Sequence, residues 1–174
     1  MKLKILVLAM LTIFLTGCGE NSNGNSKAQA QEKFPTFSTV NLDGETVTNE
    51  IFANKKITVI NIWGTFCPPC IAEMPELGEW EKNISSDVQI VGLVCDVRGK
   101  DDTQTINAAK NILSDSHADF VNILPNDEIE QYLKNVEAVP TTIFIDSQGN
   151  IIGEPVIGAD VESYKKRVEE YLKK

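Results

Sequence analysis

Two cysteines three residues apart, Cys67 and Cys70 in the stretch WGTFCPPCIAEMP (63–75), are the side chains best placed to do chemistry. Such a pair can hold a metal ion, form a fixed disulfide or exchange electrons through a reversible one. A structural zinc site draws on four Cys or His ligands. Beyond the pair, the folded part offers only Cys95 and His117, at no ligand spacing from each other, so no metal is expected. A disulfide that closes so short a loop removes little entropy from the unfolded chain, which argues against a structural staple. Redox exchange is the use that remains, and it calls for no bound cofactor.

The local pattern favours it. Ile57–Trp63 (ITVINIW) is a nearly continuous apolar, β-rich run that reads as a central strand buried on both faces. From Pro68 to about Lys82 the chain suits a helix, with prolines in the first turn, where a missing N–H is no loss. Cys67 then falls at the helix N-terminus, where unpaired N–H groups and the dipole favour a thiolate. Lowering a thiol pKa from about 8.5 to about 7 raises the thiolate fraction at neutral pH from roughly 3% to roughly half. Cys70 shares that helix face, within disulfide range, and is expected to be the more buried. In this arrangement Cys67 attacks a substrate disulfide and Cys70 resolves the mixed disulfide. Glu73 comes one turn later, and on its own is better explained as a solvated helix glutamate.

The other elements read as an α/β domain. FSTVNLDGETV (37–47) has the alternation and Asp-Gly of a hairpin, and Val88–Val94 is a second buried strand. Ile106, Ala109 and Ile112 recur at helical spacing between Asp101 and Asp115. A short strand is expected at Phe120–Ile123 and a helix from Asp127. Thr141–Ile145 and Ile151–Val156 read as an antiparallel hairpin around DSQGN. Asp160 can cap a final helix whose Val161, Tyr164, Val168 and Tyr171 form an apolar stripe. Strands alternating with helices, then a hairpin and a closing helix, make a mixed central sheet with helices on both faces.

The chain has 174 residues and a formal charge of −9. With no Lys/Arg cluster, this balance disfavours nucleic acid as a partner. Lys2 and Lys4 precede an apolar stretch, Ile5–Leu15, too short for a bilayer span but suited to a signal peptide. It ends in Leu15-Thr16-Gly17-Cys18, which resembles the lipobox of bacterial lipoproteins, with cleavage before a lipidated Cys18. The expected organisation is a signal peptide at 1–17, the lipidated cysteine and a flexible polar tether at 18–34, and one domain at 35–174.

The run ITVINIWGTFCPPCIAEMPEL (57–77), with FSTVNLDGETV upstream and VPTTIFIDSQGNII downstream, resembles the TlpA/ResA-like family of membrane-tethered thiol–disulfide oxidoreductases, over most of residues 35–174. The resemblance implies a thioredoxin-like fold with an N-terminal β-hairpin. It makes Val139-Pro140-Thr141 the cis-proline loop facing the redox pair, with the Val139 backbone pairing to a bound substrate chain. It counts Trp63, beneath the pair, and Phe66, on the side where relatives often carry a tryptophan, among the substrate-binding residues with Val139 and Pro140. Thioredoxins proper resemble the chain but have a buried aspartate where Asn61 stands. The family pattern instead puts a functional acid at Glu73, which would relay the Cys70 proton.

The resemblance implies an extracytoplasmic, lipid-anchored reductase of protein disulfides on the outer face of a bacterial membrane, acting as a monomer. Electrons would come from a membrane thiol donor, and substrates in such families include apocytochrome c and methionine sulfoxide reductases. A thiol peroxidase on the same fold is the nearest alternative enzyme, although Thr65 stands two residues before Cys67 rather than three. A tethered binding or chaperone module is the alternative of another class. Cys95 reads as a core or strand-end cysteine, with a third redox cysteine the sharper possibility, and His117 carries no motif.

Overall fold

A computed structural model describes residues 32–173. The expected signal segment (1–17), Cys18 and the tether as far as residue 31 lie outside the described residues. A β-hairpin opens the fold: β1 (Ser38–Val40) pairs antiparallel with β2 (Thr46–Thr48). Its loop turns on Gly44, whose φ of 84° lies in the left-handed region, and on Asn41 Oδ1, which accepts the Asp43 and Glu45 N–H groups. A one-turn 3-10 helix, Asn49–Phe52, leads on to the main sheet.

That sheet has five strands: β3 (Ile57–Trp63), β4 (Val88–Val94), β5 (Asn122–Ile123), β6 (Thr141–Asp146) and β7 (Val156–Ile157). They lie in the order β5-β4-β3-β6-β7. β3, β4 and β5 run parallel, while β6 runs antiparallel to β3 and β7 antiparallel to β6. Four helices connect or close it: α1 (Pro68–Asn83), α2 (Thr103–Asp115), α3 (Asp127–Leu133) and α4 (Val161–Leu172). Asp160 caps α4 by accepting the Ser163 N–H at 3.0 Å. Pro75 lies inside α1 without ending it.

Strand alternation sorts the core into two clusters. Ile57, Val59 and Trp63 of β3 pack with Met74 and Leu77 of α1, Ala109 and Leu113 of α2, and Val161, Tyr164 and Val168 of α4. On the other face Ile60 and Ile62 pack with Val91, Leu93, Ile143 and Ile145, under Ile129 of α3 and the rings of Phe34, Phe37 and Phe52. Helices therefore cover both faces of a mixed sheet, as expected.

Three boundaries differ from expectation. Phe34, placed in the tether, is buried at 3% exposure, and Lys33 bridges to Asn150, so the fold begins before residue 35. The rings of Phe37, Phe52 and Tyr132 meet Phe34 edge-on and hold it in the core. Phe120 is buried, but β5 is limited to Asn122–Ile123. The second strand of the late hairpin is also broken. Ile151 bridges to Ile145, and pairing resumes only at Val156. Between them Gly153 takes a φ of 69°, and Pro155 has no N–H to give to a ladder.

Candidate active site

β3 delivers the chain to a tight turn before α1. Cys67 is the N-cap of α1 in an extended conformation, and Pro68 and Pro69 fill the first helical positions. Its Sγ accepts the Cys70 N–H at 3.3 Å, so one of the helix's unpaired donors points at this sulfur. Asp96, just past β4, holds the preceding turn. Its carboxylate accepts the Thr65 N–H at 3.1 and 3.2 Å and the Thr65 hydroxyl at 2.6 Å. Cys67 and Cys70 are joined as a disulfide. Cys67 keeps 4% of its surface exposed and Cys70 none, the expected order.

Pro140 faces this pair from far along the chain. The Val139–Pro140 peptide bond is cis, and the Val139 carbonyl oxygen lies 3.5 Å from Cys67 Sγ. Val139 is half-buried and Pro140 buried. The rim is apolar. Phe66 is 66% exposed, its ring lying over Gly64, where a Cβ would come within 2.5 Å of it. Ile157, paired with Thr141 next to Pro140, is 58% exposed. Trp63 has no exposed surface, so it supports the pair from within the core and is not part of the substrate-facing rim.

Glu73 is 5% exposed and is not a solvated surface residue. Oε1 accepts the Asn61 amide at 2.8 Å, and Oε2 lies 3.0 Å from the Tyr164 hydroxyl. Asn61 Nδ2 also donates to Thr142 Oγ1 at 3.1 Å, while Asn61 Oδ1 is buried without a partner. Burial raises the Glu73 pKa above its ordinary value, Asn61 and Tyr164 pull it down, and Glu76 adds a smaller upward push. Burial likewise pushes the Tyr164 phenol up to about 12.

These groups belong to a polar row that crosses one face of the sheet. Asn122, Gly92, Asn61 and Thr142 are register partners on β5, β4, β3 and β6. The Trp63 indole N–H donates to Asn122 Oδ1 at 2.9 Å. Asn61 carries a signal in the sequence, as an amide inside an apolar strand. Tyr164 carries none, since it fits the apolar stripe of α4, and sequence reasoning also misses Thr142, Asn122 and Asp96.

Cys95 packs with the cluster on the sheet face opposite to that of the pair. Burial, and then the neighbouring Asp96, push its thiol up to about 11, the opposite of activation. His117 is exposed at the end of α2, with a φ of 52°. Its carbonyl fits against Gly78 of α1, a structural role. Among the described residues, no group of three or more His, Cys, Asp or Glu could hold a metal ion.

This architecture recurs in known proteins. A thiol:disulfide interchange protein of the thioredoxin family from Chlorobium tepidum superposes with a TM-score of 0.66 at 21% identity, covering 82% of this chain and 97% of that one. The exposed lipoprotein thioredoxin Etrx1 of Streptococcus pneumoniae gives 0.62 at 19% identity, over 78% and 98% of the two chains. At these identities the likeness concerns the fold.

Sequence relatives carry the assignment further. The thiol-disulfide oxidoreductase ResA of Bacillus thuringiensis is 33% identical over 150 residues, 85% of this chain and 79% of the relative. The thiol:disulfide interchange protein DsbE of Yersinia pestis is 27% identical over 154 residues, 84% and 77% of the two. Residues 29–170 match the Redoxin family. With a bonded Cys67–Cys70 pair at a helix start, and relatives of this kind along most of its length, the chain belongs to the Redoxin family and is a thiol–disulfide oxidoreductase.

Proposed function

We propose that the chain reduces disulfides of protein substrates from a membrane-tethered position outside the cytoplasm. The observation that carries the chemistry is Cys67 Sγ, which receives the Cys70 N–H at the start of α1 and lies beside the Val139 carbonyl. In the reduced protein the helix N-terminus stabilises the Cys67 thiolate. The thiolate attacks one sulfur of a substrate disulfide, forming a mixed disulfide and releasing a substrate thiolate. Cys70 gives its proton to the Glu73 carboxylate and attacks Cys67 Sγ. The Cys67–Cys70 disulfide forms, and the second substrate sulfur leaves as a thiolate. Two electrons pass to the substrate, whose thiolates take up the proton held on Glu73 and the one Cys67 had earlier released.

The substrate chain lies along the Val139–Pro140 loop between Phe66 and Ile157. A membrane thiol donor restores the dithiol, and a lipidated Cys18 with its tether holds the domain, folded as a monomer, near that donor. The Thr65 hydroxyl is committed to Asp96 at 2.6 Å, which disfavours a peroxidase that would use it against a peroxide.

Cys70→Ser in the full chain, expressed in its own cell, tests this reading. Mixed disulfides between Cys67 and protein partners are expected to accumulate and to vanish when Cys67→Ser is added. No Cys67-dependent adduct would overturn the reductase reading, and peroxide consumption that survives Cys70→Ser would favour the peroxidase.

A further inference from the structure

We infer that Tyr164 is a positioning residue that couples the proton on Glu73 to the loop carrying Pro140. This rests on the proposed role of Glu73 as acceptor of the Cys70 proton.

One hydroxyl here faces more acceptors than it has protons. Tyr164 Oη lies 2.7 Å from the Gly158 carbonyl oxygen and 3.0 Å from Glu73 Oε2, and it accepts the Asp160 N–H at 3.3 Å. A phenol has one proton to give. The Gly158 carbonyl and an ionised Glu73 are both acceptors, so that single proton serves only one of them. A protonated Glu73 removes the conflict. Its O–H then donates to Tyr164, and Tyr164 donates to Gly158.

The second link lies on the far side of Gly158. The Gly158 N–H donates to the Pro140 carbonyl at 2.8 Å, next to the backbone that faces Cys67. Glu73, Tyr164, Gly158 and Pro140 therefore form one chain of hydrogen bonds from α1 through α4 to the loop. When Cys70 loses its proton, an S–H bond breaks and an O–H bond forms on Glu73. The Tyr164 proton then turns from Glu73 to Gly158, and Tyr164 gains and loses none. Gly158 gains the Tyr164 hydrogen bond while Glu73 holds the proton and loses it when the proton leaves, with the Gly158–Pro140 and Asp160–Tyr164 bonds present in both states.

Other groups around Glu73 do not duplicate this link. α1 itself supplies Cys70 and Glu76, and Lys165 of α4 pairs with Glu76 at 3.0 Å. β3 and β6 bring the neutral Asn61 and Thr142. Thr142 accepts from Asn61 and is also hydrogen-bonded to the Tyr164 hydroxyl, adding neither a charge nor a second acceptor of the Glu73 proton.

The test is the pH dependence of mixed-disulfide resolution by the reduced full chain, with insulin as the disulfide probe. Glu73→Gln is expected to remove the acid limb attributed to Glu73. Tyr164→Phe takes a donor from the carboxylate, so the limb is expected to move to higher pH. Resolution at the wild-type midpoint then falls by about two- to fivefold. In the Glu73→Gln background, Tyr164→Phe should shift nothing further. A limb unmoved by Tyr164→Phe, or moved equally without Glu73, overturns the coupling alone. A limb that survives Glu73→Gln overturns the role of Glu73 and the coupling with it.

A second measurement needs no Tyr164 variant. The Gly158 and Asp160 amide resonances of the otherwise intact protein are expected to titrate together with Glu73 and to stop doing so in Glu73→Gln. Amides indifferent to that titration overturn the coupling.

Discussion

The Trp63 indole N–H reaches Asn122 Oδ1 at 2.9 Å across the backbone of Gly92, where a Cβ would stand 1.8 Å from that same oxygen. The support beneath the redox pair thus depends on a missing side chain. Gly92→Ala is expected to lower stability by about 1–3 kcal/mol, measured by urea denaturation. Asn122→Ser on the same chain should recover part of the loss, because the two changes share one space. Strictly additive effects would count against this account.

Glu73 gives stability an unusual pH dependence. Its folded-state pKa is raised by burial above the ordinary 4.5. Its contribution is therefore whole below about that pH and is lost as pH rises through the folded-state value. Glu73→Gln mimics the protonated acid. Its stability relative to wild type is expected to climb from pH 4 towards pH 8, as read by denaturation at each pH. A difference that stays flat would show that Glu73 titrates as a surface carboxylate.

Cys95 is expected to be chemically quiet. With its thiol pushed up to about 11, its thiolate fraction at pH 8 is about 0.1%, against roughly a quarter for a free thiol. Iodoacetamide treatment of the reduced protein, followed by peptide mapping, should label Cys67 long before Cys95. Comparable rates at the two positions would contradict the placement of Cys95.

Asp96 fastens the turn before Cys67 through both the N–H and the hydroxyl of Thr65. Asp96→Ala is expected to cost about 1–3 kcal/mol and to speed hydrogen exchange at the Thr65 amide. Unchanged exchange there would mean that the turn holds itself.

The parts of the site that lie close in sequence are legible in it. Cys67, Cys70 and the helix start follow from spacing and proline position, and the central strand from an unbroken apolar run. Pro140 and Glu73 come through family resemblance, since no local rule connects a proline to a cysteine so far away. Tyr164 is hidden because its ring serves the α4 stripe while its hydroxyl serves Glu73, and periodicity registers only the ring. Phe34 is misplaced for a related reason. A lone aromatic beside a polar tether shows its burial only when Phe37, Phe52 and Tyr132 converge on it. The late hairpin misleads because its apolar residues alternate while Gly153 and Pro155 interrupt the ladder.

Both outer strands of the main sheet, Asn122–Ile123 and Val156–Ile157, are two residues long. Pro125 comes soon after the first, and Pro155 immediately precedes the second. A long bare strand edge recruits other extended chains by main-chain pairing, and short, proline-flanked edges resist it. A protein that exchanges disulfides with other proteins meets their chains at close range. Its borders, one of them already bridged by Asn41 to Ile123, leave little bare main chain on which another chain could add as a strand.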